Sequence, residues 1–149
     1  MSGPADLNIR LARLEERQAL EDLQRRASLA LEEYREQLEA EPEAIELPAD
    51  QIERGEVIVA ELGDRLAGFA AVLFDEELAE LDGLFVEPDL WRQGIGAALI
   101  DVAVHEARRQ GLSMTVIANP SAREFYEKCG FTAEGPAKTQ FGPALRMSR

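Results

Sequence analysis

A mixed α/β fold, with a sheet flanked by helices on both faces, is predicted by three observations. Short apolar runs rich in β-branched residues alternate with longer segments of helical periodicity, in the order β-α-α-β-β-β-α-β-α-β-β. Glycine and proline separate the runs. One run, Leu84-Phe85-Val86, leads through a glycine-bearing loop into a helical pattern. A chain of 149 residues fits one domain over 1–149. A domain of that size removes roughly two thirds of its unfolded surface from water.

Residues 7–11, LNIRL, read as the first strand. Residues 13–40 are helical in composition, with Leu14, Leu20, Leu23, Ala27, Leu31, Tyr34 and Leu38 near helical spacing. A break near Ala27-Ser28 would divide this stretch into two helices. Pro42 and Pro48 bracket a loop, and Pro48-Ala49-Asp50 starts a helical turn that Gly55 ends. Val57 to Leu62 and Leu66 to Phe74 read as strands joined by a Gly63-Asp64 turn. Asp75-Glu76-Glu77 turns into a fourth strand, Ala79 to Val86, which Pro88 stops. Gly96 to Gln110 is a helix with Ala98, Leu99, Val102 and Ala103 facing the core and Gly111 as its cap. Met114 to Ala118 is a strand, Ser121 to Lys128 a short helix ending at Gly130, and Phe131 to Glu134 and Ala144 to Met147 are the last strands.

Composition excludes several classes. No apolar run approaches the ~20 residues of a membrane span. The N-terminus lacks the basic-then-apolar pattern of a signal peptide. A single cysteine, Cys129, excludes an internal disulfide and fits a reducing, cytoplasmic setting. One His and one Cys argue against a soft-metal site, and no metal is expected. A net charge of −13 argues against nucleic-acid binding. The charge is uneven: residues 1–87 carry 8 Lys/Arg against 23 Asp/Glu, and residues 88–149 carry 8 against 6. The acidic part would attract a cation, or it coats solvated helices and keeps the chain in solution. The glycine loop lies in the part that does not repel an anion.

That loop is Glu87 to Ala98, EPDLWRQGIGAA. Gly94 and Gly96 allow a tight turn and close approach of a ligand. The first N–H groups of the following helix have no intrahelical partners and sit at the positive end of its dipole. The segment therefore reads as a pyrophosphate cradle.

Two motifs make the chain similar to GNAT-type N-acetyltransferases, which move an acyl group from acyl-CoA to an amine. LFVEPDLWRQGIGAALI, Leu84 to Ile100, resembles the family's cofactor motif, a strand followed by Arg/Gln-x-x-Gly-x-Gly/Ala and a helix. NPSAREFYEKCGF, Asn119 to Phe131, resembles its second motif, Asn-x-x-Ala-x-x-Phe-Tyr-x-x-x-Gly-Phe. With the helix between them they cover about a third of the chain. The resemblance implies a GNAT-like fold, α/β with a central mixed, mostly antiparallel sheet of six to seven strands.

The resemblance also assigns roles. Amides of Arg92, Gln93, Gly94, Ile95, Gly96 and Ala97 would hold the pyrophosphate of acetyl-CoA. Leu84, Phe85 and Val86 would pair along pantetheine, and Asn119 would touch the cofactor. Trp91 stands where the family usually has Arg or Gln. Tyr126 falls on the general-acid position: a phenol of pKa about 10 can protonate a thiolate whose thiol has a pKa of about 8.5. Alone, Tyr126 reads equally as a core tyrosine and Asn119 as a helix cap.

An amine nucleophile must lose a proton before it attacks. Glu80 and Asp82 share one face of the fourth strand with Leu84, by period-2 alternation, so either carboxylate or a water is the candidate base. The bland reading makes both solvent-facing. A backbone N–H near Leu84 or Phe85 would serve the oxyanion. Gly83 marks a bulge or a close approach. His105, Cys129, Arg123 and Lys128 read as structural or surface residues. Tyr34, Arg26 and residues 139–143 are weaker candidates for the acceptor side.

The resulting expectation is an acetyl-CoA-dependent N-acetyltransferase acting by direct attack in a ternary complex. Its acceptor would be a small cationic amine or a peptide amine, with no nucleic acid or membrane partner. A homodimer is a possibility that rests on base rate alone. The alternative is a non-catalytic acyl-CoA-binding or interaction module on the same fold.

Overall fold

A computed structural model describes residues 4, 6–31, 39–40, 45, 47–139 and 142–149. Its strands form a seven-stranded sheet whose hydrogen-bonded order is β1-β2-β3-β4-β5-β7-β6. These are β1 Leu7–Leu11, β2 Val57–Leu62, β3 Arg65–Phe74, β4 Leu78–Val86, β5 Ser113–Ala118, β6 Thr132–Thr139 and β7 Gly142–Ser148. The helices are α1 Arg17–Leu29, α2 Ala49–Glu53, α3 Ile95–Arg109 and α4 Arg123–Lys128, with 3₁₀ turns at Leu14–Glu16, Pro88–Leu90 and Pro120–Ala122. The registers of β1–β2, β2–β3, β5–β7 and β6–β7 are antiparallel, and that of β4–β5 is parallel. A mixed, mostly antiparallel sheet is what the resemblance implies.

The chain divides into two compact units, Met1–Ala71 with Gly83–Leu99, and Val72–Asp82 with Ile100–Arg149. In the first, α1 buries Leu20 and Leu23 against Leu47, Ile52, Val57, Val59 and Phe69, with Phe85 packed at the margin of the cluster. Burying each such side chain contributes about 1.5–3 kcal/mol. Arg10 of β1 grips Glu16 through Nη1 and Nη2, at 3.0 and 2.6 Å, and Glu61 of β2 through Nε at 2.8 Å. These bonds hold the Glu16 and Glu61 carboxyls below their ordinary range.

In the second unit, β4 pairs Leu78–Leu81 with Ser113–Val116 of β5. Buried residues Ala79, Leu81, Met114, Val116 and Ala118 recur at alternate positions, as a strand requires. β5 then pairs with β7, where Met147 is fully buried. Helix α3 closes in a Schellman motif: Gly111 N–H donates to Arg108 O at 2.9 Å and Leu112 N–H to Ala107 O at 2.9 Å, with Gly111 at φ 76°.

α1 ends at Leu29, beside the expected break near Ala27-Ser28, with Ala27 still on the buried stripe of Leu20 and Leu23. Three other expectations change. Val102 is exposed, and Val104 and Ala107 are buried on α3 instead, following the 3.6-residue period from Ile100. β6 extends to Thr139, beyond the expected Glu134, because β7 pairs with it as far as Gly142. Thr139 and Gly142 are therefore the ends of a hairpin. Tyr34, Gln140 and Phe141 lie outside the described residues, as does Pro42.

Candidate active site

Leu84, Phe85 and Val86 occupy the half-buried end of β4, beyond the four residues paired with β5. Phe85 leans on Phe69 with ring centroids 5.2 Å apart. A Cβ at Gly83 would come within 2.7 Å of the Phe85 ring. Gly68 of β3 faces the same strand end more severely: its Cβ would lie 2.7 Å from Phe85 O and 3.3 Å from Val86 Cα. Only a residue without a side chain lets these backbones meet.

The chain leaves β4 through Glu87, whose N–H donates to Ala67 O at 2.9 Å. Pro88–Leu90 makes one 3₁₀ turn, and Asp89 accepts two bonds from Arg65, at 3.0 and 2.8 Å. The Trp91 indole Nε1 donates to Val86 O at 2.8 Å. Trp91, standing where the family usually has Arg or Gln, thus staples the loop to the strand it has just left.

Arg92 follows at φ 67° and Gly94 at φ 83°. Left-handed backbone in an L-residue costs about 1–2 kcal/mol, so Arg92 must be held there by its surroundings. Left-handed turns of this kind point successive N–H groups into one concavity, an anion nest. α3 begins directly afterwards. Its first backbone bond runs from Ala98 N–H to Gly94 O at 3.0 Å, so the N–H groups of Ile95, Gly96 and Ala97 precede the helical ladder. Gln93 is exposed, Gly96 and Ala97 are half-buried, and Ile95 is buried and anchors the helix start. The segment Arg92 to Ala97 therefore fits a pyrophosphate by its backbone alone.

On β4, Glu80 is half-buried opposite Thr115 of β5, and Asp82 is exposed. They stand on the face opposite the buried Ala79 and Leu81, in agreement with the alternation read from the sequence. Asn119 Oδ1 accepts from Ser121 N–H at 2.9 Å and from Ser121 Oγ at 2.8 Å, capping the Pro120–Ala122 turn. Tyr126 is half-buried on α4, edge-on to Phe125 at 5.1 Å and to Phe131 at 5.4 Å. Arg149 Nη1 donates to Cys129 O at 2.8 Å and to Asp101 Oδ1 at 2.9 Å, fixing the end of α4. Burial and Asp101 push the half-buried Cys129 thiol above its ordinary pKa, the opposite of what a reactive thiolate needs. Arg123 and Lys128 make i,i+4 pairs with Glu127 and Glu124 on the helix surface. His105 is exposed on α3. Arg26 is engaged by Glu87, at 3.0 Å and 2.6 Å, and Arg26 Nε and Nη2 are the donors. Among the described residues, no group of three His, Cys, Asp or Glu could hold a metal ion. No helix there is long and apolar enough to cross a membrane.

The strand, the left-handed loop and the open helix start fall inside a stretch, residues 18–131, that matches the acetyltransferase (GNAT) family. The chain belongs to that family. An uncharacterized N-acetyltransferase of Methanocaldococcus jannaschii is 33% identical over 84 residues, which is 49% of this chain and 37% of that protein. The chain thus matches well under half the length of that relative. Among solved structures, an N-acetyltransferase from Rhodopseudomonas palustris is 25% identical over 100% of this chain and 98% of its own, with a TM-score of 0.77. The PaiA N-acetyltransferase of Thermoplasma acidophilum, solved with coenzyme A, is 22% identical over 96% of this chain and 98% of its own, also with a TM-score of 0.77. That likeness establishes the fold. Within this GNAT chain, motif reading missed two pairings: Glu87 and Asp89 lie inside the cofactor motif, but their partners Arg26 and Arg65 lie outside it, and nothing in the sequence pairs residues 61 and 24 positions apart.

Proposed function

We propose that this GNAT protein is an acetyl-CoA-dependent N-acetyltransferase, with residues 1–149 acting as one catalytic domain in the cytoplasm. One observation carries the reading: the N–H groups of Ile95, Gly96 and Ala97 open a helix directly behind the left-handed Arg92 and Gly94. Backbone donors at a helix start suit a pyrophosphate and need no particular side chain at position 91. The half-buried β4 end at Leu84–Val86 suits the amides of pantetheine.

Bound acetyl-CoA supplies an activated acyl carbonyl. Glu80 or Asp82, directly or through a water, takes the proton from the acceptor ammonium. The amine nitrogen then bonds to the carbonyl carbon, and a backbone N–H near Leu84 or Phe85 donates to the oxygen as negative charge develops there. As the carbonyl re-forms, the C–S bond breaks and the Tyr126 hydroxyl gives its proton to the departing thiolate. Solvent water takes the extra proton left on nitrogen and returns one to the Tyr126 oxygen, leaving the neutral amide. Positioning of two bound substrates supplies the largest share of the acceleration. The acidic balance of residues 1–87 supports a cationic acceptor, either a small amine or a peptide amine. The reaction would proceed in a ternary complex, without a covalent enzyme intermediate.

The test is free-thiol release from acetyl-CoA across polyamines, aminoglycosides, amino acids and Lys-rich or free-N-terminus peptides. Turnover with one cationic class, falling as salt rises, supports the whole reading. Turnover only with anionic amino acids overturns the cationic acceptor. Silence across the panel with coenzyme A binding intact favours a non-catalytic acyl-CoA-binding module.

A further inference from the structure

Glu87 is the residue at which β4 ends and the cradle loop begins, and it is 7% exposed. A buried carboxylate is costly unless it is paired and hydrogen-bonded. Arg26 supplies both interactions as a fork, with Nε to Oε1 at 3.0 Å and Nη2 to Oε2 at 2.6 Å. The pairing holds the guanidinium more firmly in its charged form. A two-pronged Arg–carboxylate contact fixes the carboxylate plane as well as its position. The backbone of Glu87 is fixed on both sides as well. Its N–H donates to Ala67 O at 2.9 Å, and its O accepts from Leu90 N–H at 2.8 Å.

We infer that Arg26 is a positioning residue for the phosphate cradle, acting through Glu87; the inference rests on the acetyl-CoA reading above. The cradle needs such support because Arg92 stands in left-handed backbone five residues further on, where an unsupported loop would relax. A loop held at its root presents its amides already ordered, so less conformational freedom is lost when the pyrophosphate arrives. Without Arg26, the Glu87 carboxylate is left buried and unpaired and turns toward water, and the root of the loop turns with it.

The experiment is calorimetric titration of coenzyme A into the full chain, as wild type, Arg26→Met, Arg26→Lys and Glu87→Gln, with Tm measured on each. Once an acceptor is known, KM for acetyl-CoA and kcat are compared. Arg26→Met is expected to raise Kd and KM about tenfold, the scale on which a misplaced binding group is felt, while kcat stays within about twofold. Arg26→Lys restores part of the loss, since it keeps the charge without the fork. Wild-type affinity in a folded Arg26→Met protein overturns the inference. If that variant fails to fold, Glu87→Gln, nearly isosteric, decides: wild-type Kd in a folded protein overturns it equally. A wild-type protein that binds no coenzyme A overturns the acetyl-CoA reading and this inference with it, a result distinct from the other two.

Discussion

The loop from Glu87 to Gly94 and the segment from Asn119 to Gly130 both carry family motifs, but they are held in opposite ways. The loop is tied by residues far away in sequence: Arg26 to Glu87 across 61 positions, and Arg65 to Asp89 across 24. The second segment is tied mostly to itself. Asn119 caps Ser121, Arg123 pairs with Glu127, Lys128 pairs with Glu124, and Phe125, Tyr126 and Phe131 pack ring on ring. The loop carries Arg92 in left-handed backbone, a conformation that persists where the surrounding structure holds it, and its long-range bonds come from α1 and β3. A capped helical turn satisfies its own donors and needs less from outside.

The sharpest way to separate the two regions is Tyr126→Phe. The ring contacts survive and only the hydroxyl is lost, so kcat is expected to fall about a hundredfold, as for loss of a general acid, with Kd for coenzyme A unchanged. Steady-state kinetics beside calorimetry check this, and an unchanged kcat would return Tyr126 to a packing role.

Gly68→Val tests the long-range side. It pushes a side chain onto Phe85 O and Val86 Cα, and overpacking of this kind costs about 1–3 kcal/mol. Thermal unfolding should show the loss, and coenzyme A titration should show weaker binding, because the strand end that roots the loop has moved. Asn119→Ala tests the local side. Loss of the cap costs about 1 kcal/mol in a denaturant titration, and coenzyme A titration on the same variant reads whether Asn119 also touches the cofactor, as the family resemblance implies. The smallest effect concerns Cys129, the sole cysteine. Its thiol is raised above the ordinary value, so alkylation by iodoacetamide should turn on at higher pH than for a free thiol. Alkylation at or below the pH of a model thiol would show that Cys129 is not the half-buried residue described here.

Most of the element order was legible because it depends on periodicity and punctuation, which are local. The Gly63-Asp64 turn, Gly111 as the α3 cap and Gly55 behind α2 all followed from the backbone that glycine permits. The strand edges were less legible. β6 is longer than its apolar run because β7 pairs with it, and pairing partners are not written in either strand alone. The assignment of Val102 to the core failed for a related reason. Which stripe of an apolar helix is buried depends on what packs against it, and on α3 that is the stripe of Ile100, Val104 and Ala107.

The sequence by itself determined the motifs, their order and the residues offering backbone donors and titratable groups, since these rest on local geometry and side-chain chemistry. The tertiary structure alone decided what holds them. Arg26 closes on Glu87, Trp91 turns back to Val86 O, and Gly68 makes room for the end of β4. Those interactions come from chain packing that brings distant residues within hydrogen-bond range. No reading of neighbours along the chain could supply that proximity.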